Sequence, residues 1–106
     1  MSKYMWRVSY SLDGIQGVMR QGAQDRVEQI RKLVTANGGT LEGFYFAFGD
    51  TDAYVIADMP SDTATAAISL AVASSGAGAL QTVKLLTPAE IDEARGIKTG
   101  YVPPGS

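Results

Sequence analysis

Arg7 and Ser9 are the first residues whose types and spacing can do chemistry. They stand two apart in the run Tyr4 to Ser11, where Tyr4, Trp6, Val8 and Tyr10 alternate with Met5, Arg7 and Ser9. That period of two predicts a strand with one apolar and one mixed face, and it puts the guanidinium and the hydroxyl together on the mixed one. A guanidinium in such a place can clamp a carboxylate or phosphate through two parallel hydrogen bonds. It can equally pair across strands with Glu42 or with an aspartate of a neighbouring subunit, and residue types alone favour neither use.

Asp50 and Asp52 form a second set, two apart in Gly49-Asp50-Thr51-Asp52. Their carboxylates can serve as an oxygen-ligand pair or as a coupled acid–base pair. Aspartates in a hairpin turn bond the backbone amides that follow them, and two carboxylates without a third acid nearby make a poor cation cage, so turn chemistry is the weightier reading. Asp58, ahead of Pro60, reads the same way. Trp6, Tyr10, Phe44, Tyr45, Phe46, Phe48 and Tyr54 can line a pocket for a flat or hydrophobic small molecule. Strand alternation divides this set between two sheet faces, so about half must serve as ordinary core beneath helices. Gly76-Ala77-Gly78 follows a helix and precedes a strand, the reverse of what a phosphate-cradling loop needs, and reads as a tightly packed helix exit.

The absences narrow the chemistry further. The chain has no histidine and no cysteine. Imidazole bases, thiolate nucleophiles, disulfides and iron–sulfur ligation are excluded, and any metal would have only oxygen ligands. An enzyme built on this chain must work with carboxylates, Tyr, Lys, Arg, hydroxyls or a borrowed cofactor. No metal and no cofactor is expected. Net charge is −2, with both signs interspersed, which provides no basic stripe for nucleic acid and no polybasic segment for a membrane. The start, Met-Ser-Lys-Tyr-Met-Trp-Arg, leads straight into a strand pattern, and no stretch approaches membrane-spanning length, so a cytoplasmic protein is expected.

The elements that must position these residues follow from the rest of the pattern. Length fits one domain over 1–106. After the first strand, Asp13 is placed to cap a short helical segment with Ile15, Val18 and Met19 as its stripe, and Gly22 breaks it before a longer helix. Val27, Ile30, Leu33 and Val34 carry the buried face of that helix, and Asn37-Gly38-Gly39 stops it. Phe44 to Asp58 then reads as two strands around a polar turn. Neither strand is polar along one side. Leu41, Gly43, Tyr45 and Ala47 alternate with Phe44, Phe46 and Phe48, and Ala53, Val55 and Ala57 with Tyr54 and Ile56, so both faces of the sheet call for cover. Pro60-Ser61-Asp62 precedes a helix over Ala64 to Ala73 that is apolar nearly all round, which predicts burial on more than one side. Leu80 to Leu86 forms a fourth strand. Thr87-Pro88-Ala89-Glu90 is a capping box ahead of a short helix to Arg95, and the Pro-rich tail cannot join a central strand.

The order β-α-β-β-α-β is the split-βαβ, ferredoxin-like arrangement of the α+β class, a four-stranded antiparallel sheet with both main helices on one side. The other side stays bare in a monomer. Burying a few hundred Å² of apolar sheet at roughly 25 cal/mol per Å² gives several kcal/mol before association costs, which makes self-pairing through that face favourable.

These residues also resemble the GYD-domain family of small bacterial and archaeal proteins, placed in the dimeric α+β barrel superfamily. The carriers are Lys3-Tyr4, Ser9-Tyr10, Gly38-Gly39, Tyr45-Phe46-Ala47-Phe48-Gly49 with Asp52, Leu70-Ala71-Val72, Leu85-Leu86-Thr87-Pro88-Ala89-Glu90, and Tyr101 with Pro103-Pro104-Gly105. The turn departs from the pattern at Thr51, close to where the family's tyrosine stands. The resemblance implies a sheet that pairs as a dimeric α+β barrel and a homo-oligomer of this chain. It specifies no activity.

Together these readings lead to a homo-oligomeric small-molecule-binding protein with its pocket on the open sheet face. The expected ligand-binding residues are Arg7, Ser9, Tyr10, Phe46, Asp52 and Tyr54. The alternative is a cofactor-independent enzyme of isomerase or monooxygenase type, acting on a small, partly aromatic substrate. It would use Asp52 or Asp50 as base, Arg7 as anion stabiliser and Tyr54 or Tyr10 as proton donor. A structural oligomer without ligand is the third reading.

Overall fold

A computed structural model describes residues 1–106. The chain runs β1 (Ser2–Tyr10), α1 (Leu12–Gln21), α2 (Ala23–Ala36), β2 (Thr40–Phe46), β3 (Ala53–Met59), α3 (Asp62–Ser74), β4 (Gly78–Leu85) and α4 (Pro88–Arg95). The strands form one antiparallel sheet in the order β2-β3-β1-β4. This is the ferredoxin-like α+β frame, with its first crossover divided into α1 and α2 by Gly22, whose φ of 93° suits a residue without a Cβ.

The core lies between one face of the sheet and α2 and α3. Tyr4, Trp6 and Val8 of β1, Ala53, Val55, Ala57 and Met59 of β3, and Leu41 of β2 meet Val34 of α2 and Ile68 of α3. Register explains the selection. Trp6 lies opposite Val55 on one side and Thr82 on the other, so their side chains leave the sheet in the same direction. Met5, Arg7, Ser9, Tyr54, Ile56, Gln81, Val83 and Leu85 point the opposite way, onto a face that no helix of this chain covers.

Several local expectations need correction. Ser11, not Asp13, caps α1: its Oγ accepts the Gly14 N–H at 3.1 Å, while Asp13 sits in the first turn, where its charge favours the helix dipole. Leu41 does not share a face with Gly43 and Tyr45. A bulge between Leu41 and Gly43 shifts the alternation, so Leu41 joins Phe44 and Phe46 on the core side. Helix α3 is buried on one side only, through Thr65 and Ile68, and Leu70 on its outer side is 71% exposed. Its apolarity comes mainly from alanine, which carries little area to bury and so requires no second neighbour.

The C-terminal part stands away from the domain. Thr87 and Glu90 close the expected capping box and Pro88 opens α4, but α4 buries none of its residues, and Ile91, Ile97, Tyr101 and Val102 are exposed. The radius of gyration is 16.9 Å, against about 13 Å for a compact chain of this length.

Candidate functional site

Arg7 emerges from the middle of β1, opposite Tyr54 on β3 and Gln81 on β4. Its Nη1 donates to Gln81 Oε1 at 3.0 Å and its Nη2 to Thr51 Oγ1 at 3.1 Å. Neighbours on two sides therefore hold the guanidinium in place. A guanidinium has five N–H donors; with one given to Gln81 and one to Thr51, three stay available to an incoming acceptor. The pairing with Glu42, one of the uses its sequence allowed, does not form. The bulge in β2 brings Glu42 to Lys3 instead, where Asp58 joins at 3.2 Å from Lys3 Nζ. The hydrogen bond from Lys3 to Glu42, against some desolvation, raises the pKa of that ammonium.

Ser9 stands on the same face one rung further on, and its Oγ donates to the Asp50 carbonyl at 2.6 Å. The strand thus grips the 47–52 turn from below. Arg7, Ser9, Asp50, Thr51, Ala79, Leu80 and Gln81 surround a depression of about 330 Å³, within the range of small-molecule sites. One cation, two hydroxyls and one carboxylate around it can recognise a small anion that also carries a hydroxyl or amide. Tyr54 lies beside Arg7 and extends the apolar surface of Met5, Ile56, Val83 and Leu85 around it.

The other expected site residues go elsewhere. Asp52 turns its carboxylate onto the main chain: Oδ2 accepts the Tyr10 N–H at 2.8 Å, while its own N–H donates to the Val8 carbonyl at 2.8 Å. No third acid joins Asp50 and Asp52. Tyr10 and Phe46 belong to the helix side of the sheet. Phe46 packs on Phe44 with ring centroids 5.0 Å apart, and Tyr10 lies near Arg26 of α2, where burial pushes its phenol up from the ordinary tyrosine range. Strand alternation carried this separation, because Tyr10 is in phase with Trp6 and Arg7 is not. Thr51 and Gln81 were missed as site residues. Thr51 is only 8% exposed although it lies in a polar turn, and no period marks a turn residue that folds back under a strand.

Gly76-Ala77-Gly78 is the packed helix exit that its sequence suggested. Ser11 N donates to the Ala77 carbonyl at 3.0 Å and Ser11 Oγ to the Gly76 carbonyl at 2.7 Å. No helix of the chain is long and apolar enough to cross a membrane.

Comparison with known proteins adds one finding. Neither the curated proteins nor the solved structures contain a match to this chain. The family model for the GYD domain matches residues 4–94, which takes in β1 from Tyr4 onward, the other three strands, the 47–52 turn and nearly all of α4. With that span matched and the ferredoxin-like sheet in place, the chain belongs to the GYD domain family.

Proposed function

We propose that this protein is a homo-oligomer whose open sheet faces pair and enclose a small anionic ligand held by Arg7. The observation that carries this reading is the clamp itself. Thr51 and Gln81 hold a guanidinium on an uncovered sheet face, where Met5, Tyr54, Ile56, Val83 and Leu85 supply the apolar surface around it. A cation ordered in this way has already lost much of its side-chain entropy, so an anion that meets it pays less to be bound. Pairing of the apolar surface around it would remove water and strengthen the contact. Membership of the GYD domain family and the small α+β fold fit a protein of this kind.

Native mass spectrometry of gently purified protein tests both halves of the proposal. A dimer or higher multiple with a reproducible added mass, lost in Arg7→Ala while the multiple persists, is the expected result. A clean monomer overturns the pairing. An unchanged added mass in Arg7→Ala overturns the assignment of the ligand to this site.

Of the two carboxylates read as the base of the enzymatic alternative, Asp52 is already bonded to a main-chain amide. Asp50 lines the depression and is the acid better placed to act on a bound ligand.

A further inference from the structure

The helix side of the sheet holds a second feature, which the Arg7 site does not use. Helices α2 and α3 both lie on this face, yet α2 packs chiefly on β2 and α3 on β4, and the two helices scarcely touch each other. Between them the sheet forms an apolar floor. Trp6, Val8, Val55 and Leu80 line it from below, with Ile30 and Leu33 on the α2 wall and Ile68 and Val72 on the α3 wall. Ile30, Leu33, Val72 and Leu80 are only partly buried, so apolar surface stays accessible along the slot.

Arg26 is the one charged residue along this slot. It makes no ion pair and no hydrogen bond to a carboxylate. The closed part of the slot is narrow, about 30 Å³, but it meets two wider openings at Arg26. One, of about 290 Å³, continues along α2 and α3 past Gln29, Ala71 and Ser75. The other, of about 160 Å³, lies under α1 beside Tyr10, Asp13 and Gln21. Helix α1 buries none of its residues and joins α2 through the Gly22 break, so this wall can yield without disrupting the core.

We propose that the slot between α2 and α3 binds a slender amphipathic carboxylate, with its chain on the apolar floor and its carboxylate on Arg26. The dimensions select the chain. A passage this narrow admits a line of methylenes more readily than a ring. The charge selects the head group: Arg26, the one charged residue of the slot, offers a planar fork that suits a carboxylate. The Tyr10 phenol is at the same end and stays protonated, so it can donate a second hydrogen bond. This site lies on the opposite face of the sheet from Arg7 and does not depend on that reading.

Trp6 makes the proposal measurable, because it is the sole tryptophan and lines the slot. A bromine atom quenches indole emission only at contact, so ω-bromooctanoate serves as the probe and ω-bromooctanol as its uncharged control. Saturable quenching by the carboxylate is expected in the wild type. It should weaken at least tenfold in Arg26→Gln and be unchanged in Arg7→Ala. Val72→Phe, which fills the slot and leaves the cation in place, should abolish it. The alcohol should bind the wild type no better than the carboxylate binds Arg26→Gln. Circular dichroism confirms that each variant is folded. Quenching that does not saturate, that survives both Arg26→Gln and Val72→Phe, or that is lost in Arg7→Ala overturns the proposal.

Discussion

The carboxylate of Asp52 accepts the main-chain N–H of Tyr10 at 2.8 Å, just beyond the last residue pair of β1 and β3. A side chain there does what a strand residue would otherwise do, extending the ladder by one bond while the backbone of the turn moves away. The turn that holds Thr51 against Arg7 therefore hangs on Asp52 as well as on Ser9.

Asp52→Ala should destabilise the domain by about 1 to 2 kcal/mol, the lower part of the range for hydrogen bonds to a charged group, because the carboxylate is only half-buried. Asp52→Asn keeps an oxygen in the same place and should recover about half of that loss. Urea unfolding of both variants gives the comparison. Equal stability of Asp52→Ala and wild type would remove Asp52 from the turn's support.

Thr51→Val preserves shape and removes the acceptor for Arg7 Nη2. It should cost about 1 kcal/mol of stability, because one donor of a partly buried pair loses its partner. A freed guanidinium must also be ordered again when an anion binds, so any ligand that copurifies with the protein should be held some threefold to tenfold less tightly. Titration of the identified ligand into both proteins checks this; equal affinity would show that Arg7 does not need the clamp.

Gly14→Ala should be more harmful than an alanine in a helix ordinarily is. A Cβ at this position would run into the carbonyl oxygen of Ala77. Since that carbonyl also accepts the Ser11 N–H, relief requires the start of α1 to move away from the loop before β4. A loss of about 1 to 3 kcal/mol is expected, in place of the usual gain from replacing a helical glycine. Thermal unfolding of the single variant is sufficient to decide it.

Helix α4 should respond to acid. The Thr87 N–H donates to Glu90 Oε1 at 3.0 Å, and that bond, with a second from the Thr87 hydroxyl, holds the Glu90 pKa below the ordinary glutamate value. A pKa lowered by folding gives stability that is complete above the unfolded value and is lost as pH falls through the folded one. The helix should therefore be intact at neutral pH and fray on acidification from the usual carboxylate range downward, whereas Glu90→Gln should weaken it at neutral pH and remove most of the pH dependence. Amide chemical shifts from Pro88 to Arg95 followed through an acid titration report this. Shifts that move identically in both proteins would assign the response to other groups.

The sheet was legible because each strand repeats its pattern over several residues. Tyr4, Trp6 and Val8 against Met5 and Arg7 leave little choice of face, and the four strands and their order follow from such runs. Single-residue events were harder to read. The bulge at Leu41/Gly43 displaced one leucine and with it the partner of Glu42, and nothing in Thr-Leu-Glu-Gly announces that shift before the partner strand is in place. Ser11 outcompeted Asp13 as a cap because the loop at Gly76 and Ala77 fixed its hydroxyl, a contact made by residues more than sixty positions away. At the candidate site Arg7 and Ser9 were visible through their shared face, whereas Thr51 and Gln81 gained their roles only from neighbouring strands and the turn.

The protruding end has a hydrodynamic consequence. The molecule extends 57 Å along its longest axis and 22 Å along its shortest, so it tumbles anisotropically and sweeps a larger volume than its 11.2 kDa implies. On a sizing column a single chain of this shape elutes early, toward the position of a compact dimer. Subunit number is therefore best read from mass or sedimentation equilibrium, and a protomer that draws in its C-terminal arm on assembly would reveal it as a fall in scattering radius per chain.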